Sequence, residues 1–119
     1  MTPWFPGRTS FEAALAFVNA EQPALFADLN VHLCEPAAWP ADAPPGSCAL
    51  FMPPRFLAVR AGNASVAHFV ASLAHEALHA VQWAQAGRPE EWHARAADEA
   101  DAEEFGQAMA AAYGRTARI

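Results

Sequence analysis

His75-Glu76-Ala77-Leu78-His79 sets two imidazoles four residues apart inside an alanine-rich, strongly helical stretch. On an α-helix that spacing stacks His75 and His79 one turn apart on the same face, where both can grip a single ion. Two neutral imidazoles suit zinc. Glu76 then reaches the space beside the metal where a water would sit. A carboxylate there can take a proton from that water and pass it to a leaving group, so the trio is equipped for hydrolysis.

The helix that must carry the motif has two faces. At 100° per residue Val66, Phe69, Val70, Leu73, Ala77, Val81 and Ala84 gather in one apolar stripe. His68, Ser72, His75, His79 and Gln82 gather on the opposite side, with Glu76 and Trp83 at its margin. A single histidine on a surface helix is ordinarily just solvated. This polar face, however, carries few of the Lys, Arg and Glu residues that crowd a face turned to bulk water, which suits a cleft better.

Two histidines leave a catalytic zinc site one protein ligand short. No third histidine follows at the extended spacing, where Gln82 and Gln85 stand instead. The supply of carboxylates is the run Asp98-Glu99-Ala100-Asp101-Ala102-Glu103-Glu104. Ala102, Phe105, Met109 and Ala112 form the apolar stripe of the helix expected there. Asp98 falls within that stripe and Glu99 at its edge, whereas Asp101 and Glu104 lie farther round in solvent. A carboxylate at a buried edge needs a partner, and a metal is a good one. On the residues alone, Asp98 and Glu99 both stay open as the third ligand.

The stretch from about Val66 to Met109 resembles the gluzincin metallopeptidases, in which an HExxH helix is followed by a second helix bearing a glutamate ligand. The usual pattern there is Glu-x-x-Ala-(Asp or Asn)-x-Phe-(Ala or Gly). This chain reads Glu99-Ala-Asp-Ala102-Glu103-Glu-Phe105-Gly106, with Glu103 where Asp or Asn is usual. Ser72-Leu73-Ala74 and Ala80-Val81-Gln82 are similar to the usual flanks of the motif, and the small minigluzincins and the ImmA/IrrE-type regulatory peptidases are the nearest kinds. The resemblance implies a zinc ion held by His75, His79 and Glu99, with Glu76 as the general base. Glu103, and Asp98 as the alternative ligand, would stand behind them. It also implies an α+β, zincin-like minimal fold: an N-terminal helix, a small, mostly antiparallel sheet of about three strands, then the HExxH helix and the glutamate-ligand helix. The substrate implied is a peptide or protein. His93, His68 and Tyr113 are candidates to stabilise the oxyanion, although His68 lies two turns before His75, about 10 Å along the axis and too far to share its ion.

The rest of the chain must supply that scaffold. Thr9-Ser10-Phe11-Glu12 reads as a capping box, and Phe11, Ala14, Leu15 and Val18 carry a first helix to about Ala20. Pro23 interrupts it, and Ala24 to Leu29 offers one more short turn. Val31 to Glu35 reads as a strand, and the proline-rich Pro36 to Gly46 as a loop. Cys48 to Met52 and Phe56 to Arg60 read as two further strands joined by Pro53-Pro54-Arg55. Either of these two could offer an edge to an extended peptide. Ser65 or Asn63 should cap the motif helix, which Gly87-Arg88-Pro89 should end near Ala86. A last helix is expected from about Trp92 to Tyr113, with Gly114 as its stop. Trp39, Trp83 and Trp92 are candidates for a side-chain pocket.

The 119 residues suffice for one domain over residues 1–119 with one core, and are too few for two. Hydrophobic residues make up 54 %, enough for a packed globule rather than a disordered chain. Net charge is −6 and every basic side chain is an arginine, so no basic stripe exists and nucleic acid is not an expected partner. No apolar run is long enough for a membrane span, and the start shows no charged-then-apolar leader, which makes the cytoplasm the expected compartment. Cys34 and Cys48 fall in strands expected to be neighbours, where a bridge is geometrically open. Two cysteines in a cytosolic chain are nevertheless expected to stay reduced. Two other readings compete with a peptidase: a zincin fold used for recognition or regulation, and a helical protein whose histidines are ordinary surface residues.

Overall fold

A computed structural model describes residues 7–41, 43, 47–62 and 64–116. Among these the chain is α+β. The order is α1 (Arg8–Glu21), α2 (Pro23–Phe26), β1 (Asn30–Cys34), a 3-10 turn (Pro36–Ala38), β2 (Ala49–Met52), β3 (Phe56–Arg60), α3 (Val66–Gln85) and α4 (Ala96–Thr116). No described helix is long and apolar enough to cross a membrane.

The three strands form one sheet in the order β1-β3-β2. β2 and β3 make an antiparallel hairpin in which Ala49 faces Val59 and Met52 faces Phe56. β1 runs parallel to β3, with Asn30 against Phe56 and Cys34 against Arg60. The expectation of a mostly antiparallel sheet is thus corrected to a mixed one. A parallel pair needs a long crossover, and the segment between β1 and β3 supplies it while also contributing the edge strand β2. Phe56–Arg60, one of two segments expected to offer an edge, is the central strand. Strand order also separates the cysteines: Ala61 donates to the Cys34 carbonyl on one side of β3, and Arg60 donates to the Cys48 carbonyl on the other. Two inter-strand spacings of about 4.8 Å lie between them, beyond the reach of a disulfide, and both are free thiols.

Apolar spacing puts the core where it falls. Phe11, Ala14 and Val18 of α1, Leu57 and Val59 of β3, and Phe69, Val70, Leu73, Ala74 and Ala77 of α3 form one buried cluster, closed by Phe26 and by Met109 of α4. Each large side chain buried this way contributes about 1.5–3 kcal/mol. Of the stripe expected on α3, Ala84 is exposed, whereas His79 and Trp83, placed on or beside the polar side, are buried. α3 is covered on both flanks, by the sheet with α1 and by α4, so its buried surface is wider than one stripe.

Helix ends follow local chemistry except where distant packing intervenes. Ser65 caps α3, its side chain accepting from the His68 N–H at 3.1 Å; Asn63, the other candidate, lies outside the described residues. α3 closes on Gly87 N–H to Ala84 O and Arg88 N–H to Trp83 O, the paired bonds of a Schellman turn. The capping box at Thr9 is not formed: α1 is entered from Gly7, with no side-chain cap, and Glu12 instead pairs with Arg8 at 3.0 Å. Gly7 has φ +83°, and a side-chain carbon there would stand 2.0 Å from the Gly62 carbonyl oxygen, so only glycine fits where α1 begins. α4 starts at Ala96 rather than Trp92 and runs through Gly114 to Thr116. It crosses α3 closely at Gly106, where a side-chain carbon would lie 2.7 Å from the Ala71 carbonyl oxygen.

Candidate metal centre

The crossing of α3 and α4 brings three ligand-type side chains together. His75 Nε2 lies 3.3 Å from Glu99 Oε2, and His79 Nε2 lies 2.9 Å from Glu99 Oε1. One ligand atom from each of His75, His79 and Glu99 falls within 4.8 Å of the others. Nitrogen, nitrogen and carboxylate oxygen are a donor set for a borderline divalent cation, and this group could hold a metal ion. The histidines come from successive turns of one helix face, while Glu99 sits in the first turn of α4.

Asp98, the other carboxylate open from the sequence, goes elsewhere. Its Oδ2 accepts the Arg95 backbone N–H at 2.9 Å and lies 3.5 Å from the Arg95 guanidinium. Asp98 is the more buried of the two acids, as the apolar stripe implied, but it turns back to close the start of α4. Glu99, half exposed, reaches across to the imidazoles. Glu103 approaches from the next turn, with Oε2 at 3.5 Å from His75 Nδ1.

Glu76 stands at the seam between helix and sheet. Its Oε1 accepts the Phe51 backbone N–H at 2.9 Å, and its Oε2 is 3.7 Å from His75 Nε2. Burial raises its carboxyl from 4.5 to about 7. The nearby Glu99 adds to the rise, and His79 and the Phe51 N–H oppose it. Glu76 is therefore poised to exchange a proton near neutral pH.

These groups open on a cleft of about 450 Å³. Its walls are α3 from His68 to His79, the lead into β2 from Ser47 to Leu50, and α4 at Glu99, Glu103, Gly106 and Gln107. His68 also lines this cleft. His93 does not line it; it lines a neighbouring pocket with Gln82, Trp92 and Asp98. Tyr113 is also absent from the cleft walls and packs edge-to-face on Phe17, ring centroids 5.3 Å apart. Trp83 is a packing residue, with Nε1 donating to the Pro89 carbonyl at 3.0 Å and its ring against Phe51. Trp92 sits edge-on to His79 at 5.8 Å, and Trp39 lines neither pocket.

Gln82 has a part in the site that the sequence reading did not give it. Its Oε1 lies 2.7 Å from His79 Nδ1, and its Nε2 donates to the Asp98 carbonyl at 2.9 Å. Its place on the same face, three residues after His79, was the available signal; the contact to α4 depends on tertiary approach.

Comparison of the chain with family models, with curated proteins and with solved structures finds no match.

Proposed function

We propose that this protein is a zinc-dependent peptidase of the gluzincin kind, with a zincin-like arrangement of helix and sheet edge. The observation that carries the reading is the convergence of His75, His79 and Glu99 within ligand distance beside a largely buried Glu76. Two imidazoles and one carboxylate fit zinc with a position to spare. His75, His79 and Glu99 would hold the ion, which when bound supplies Lewis acidity at a scissile carbonyl and acidifies the attacking water.

The chain's own groups do the remaining work. Glu76, held by the Phe51 N–H, takes the water's proton and returns it to the leaving amine. β2 is the strand beside the cleft. The Arg60 N–H to Cys48 O bond fixes the alternation along the hairpin, so the main-chain groups of Leu50 and Met52 face β3. Those of Ala49 and Phe51 face outward, and the Phe51 N–H is the one that Glu76 takes. An extended peptide laid along Ala49 would pair with the outward groups and pass over the site.

The test is zinc content together with cleavage of an unfolded protein, wild type beside Glu76→Gln. Bound zinc with cleavage lost in the variant supports the peptidase. Bound zinc with no cleavage in the wild type favours a recognition role, and no zinc on reconstitution overturns both.

A further inference from the structure

The amide of Gln82 touches two groups whose donor and acceptor roles are linked by elimination. The Asp98 carbonyl, 2.9 Å from Nε2, can only accept, so the NH₂ end of the amide must face it. The oxygen end then faces His79 Nδ1 at 2.7 Å, and an oxygen that can only accept requires a hydrogen on Nδ1. A neutral imidazole protonated at Nδ1 keeps its lone pair on Nε2, the atom that points to Glu99. One side chain therefore sets which nitrogen of His79 is free to ligate. It also ties the helix bearing His79 to the residue before Glu99.

We infer that Gln82 is a positioning residue of the metal site, fixing the tautomer of His79 and docking the first turn of α4 so that Glu99 meets the histidines. Its surroundings fit the role. His79 is only 5 % exposed, with Trp92 edge-on to its ring, so water does not readily replace the amide as its partner. The Asp98 carbonyl lies in the first turn of α4, where Glu99 is the next residue. Metal-bound histidines commonly donate their second nitrogen to such a partner, and loss of the partner costs about 10–100-fold in metal affinity. Here the partner also bridges two helices, so its removal should loosen a third ligand that it does not touch.

The inference rests on the proposed zinc site, and the experiment separates the two. Zinc affinity is measured by chelator competition for wild type, Gln82→Leu, Gln82→Glu and the control Gln85→Leu, an exposed neighbour one turn along. Hydrogen exchange of the amides from Glu99 to Ala102 is followed in the metal-free proteins. Gln82→Leu should bind zinc about 10–100-fold more weakly and exchange faster in α4. Gln82→Glu keeps an oxygen for His79 but has no donor for Asp98, so its α4 should exchange as fast while its zinc affinity stays nearer wild type. Gln85→Leu should match wild type in both. Gln82→Leu within about threefold of wild-type affinity overturns the inference, as does unchanged α4 exchange in both Gln82 variants. If Gln82→Leu does not fold, the split expected of Gln82→Glu decides. A wild type that binds no zinc would sink the proposed function, yet the exchange arm would still report on the bridge.

Discussion

The Phe51 backbone N–H donates to Glu76 Oε1 at 2.9 Å, so β2, an edge strand of the sheet, holds the carboxylate of the motif helix. Glu76→Gln keeps an oxygen for that bond and leaves the three ligands alone. Zinc should remain bound at wild-type stoichiometry while peptide cleavage falls by about 100-fold or more through loss of the base. Cleavage that survives the substitution would remove Glu76 from the reaction.

The carboxylates of α4 should separate by function although they are adjacent in sequence. Glu99→Ala, like His75→Ala and His79→Ala, leaves two ligands and should release zinc into a chelator that the wild type resists. Asp98→Ala should keep its zinc and lose about 1 kcal/mol of stability with the bond to the Arg95 N–H. Metal analysis after gel filtration and urea unfolding distinguish the two. Zinc lost from Asp98→Ala but not from Glu99→Ala would reverse the assignment.

In the zinc-stripped protein Glu76 should make stability fall as pH rises. Its folded value, about 7, lies above the unfolded 4.5, so between those pH values the folded state holds more protons than the unfolded one. Below about pH 4.5 both states are protonated and no penalty exists. Above about 7 the buried carboxylate is charged and the full penalty, on the order of 3 kcal/mol, applies. Urea midpoints at pH 5 and pH 8, with zinc removed, should differ more for wild type than for Glu76→Gln, whose amide does not titrate. Parallel midpoints would mean that the charge is relieved by another group.

Reductant should leave the melting temperature unchanged, because β3 stands between Cys34 and Cys48. Cys34→Ser and Cys48→Ser should each fold. Cys48→Ser retains a polar atom facing Ser72 Oγ, the partner that Cys48 Sγ now meets at 3.6 Å. A drop of many degrees with reductant would require a bridge that the strand order forbids.

What could be read from the sequence was what local chemistry decides. The Ser65 cap and the bounds of β3 depend on side chains a few residues apart, and the structure has them where the sequence put them. The start of α4 was misread because Trp92 is held outside the helix against His79, thirteen positions earlier in the chain, and Asp98 closes the helix at Arg95. The capping box at Thr9 lost to Gly7, whose fit against Gly62 fixes the entry to α1 from across the fold. The parallel pairing of β1 with β3 was hidden for a similar reason, since strand order depends on a crossover loop and not on either strand's residues. The residues alone left Asp98 and Glu99 both open, and only the resemblance favoured Glu99; the tertiary approach of α3 and α4 puts Glu99 on the imidazoles and turns Asp98 back to Arg95.

Gly106 gives the two-helix frame a fulcrum. The Ala71 carbonyl oxygen is 2.7 Å from where a side-chain carbon would stand, so even a methyl group would act as a wedge between the helices. Glu99 lies seven residues back along α4, about 10 Å from that point. Prising the helices apart at the fulcrum would tilt that arm and draw the carboxylate off the imidazoles, without altering any ligand or unwinding a turn. An alanine in this place would be registered first as a leak of metal, in a protein whose helical spectrum still looked whole.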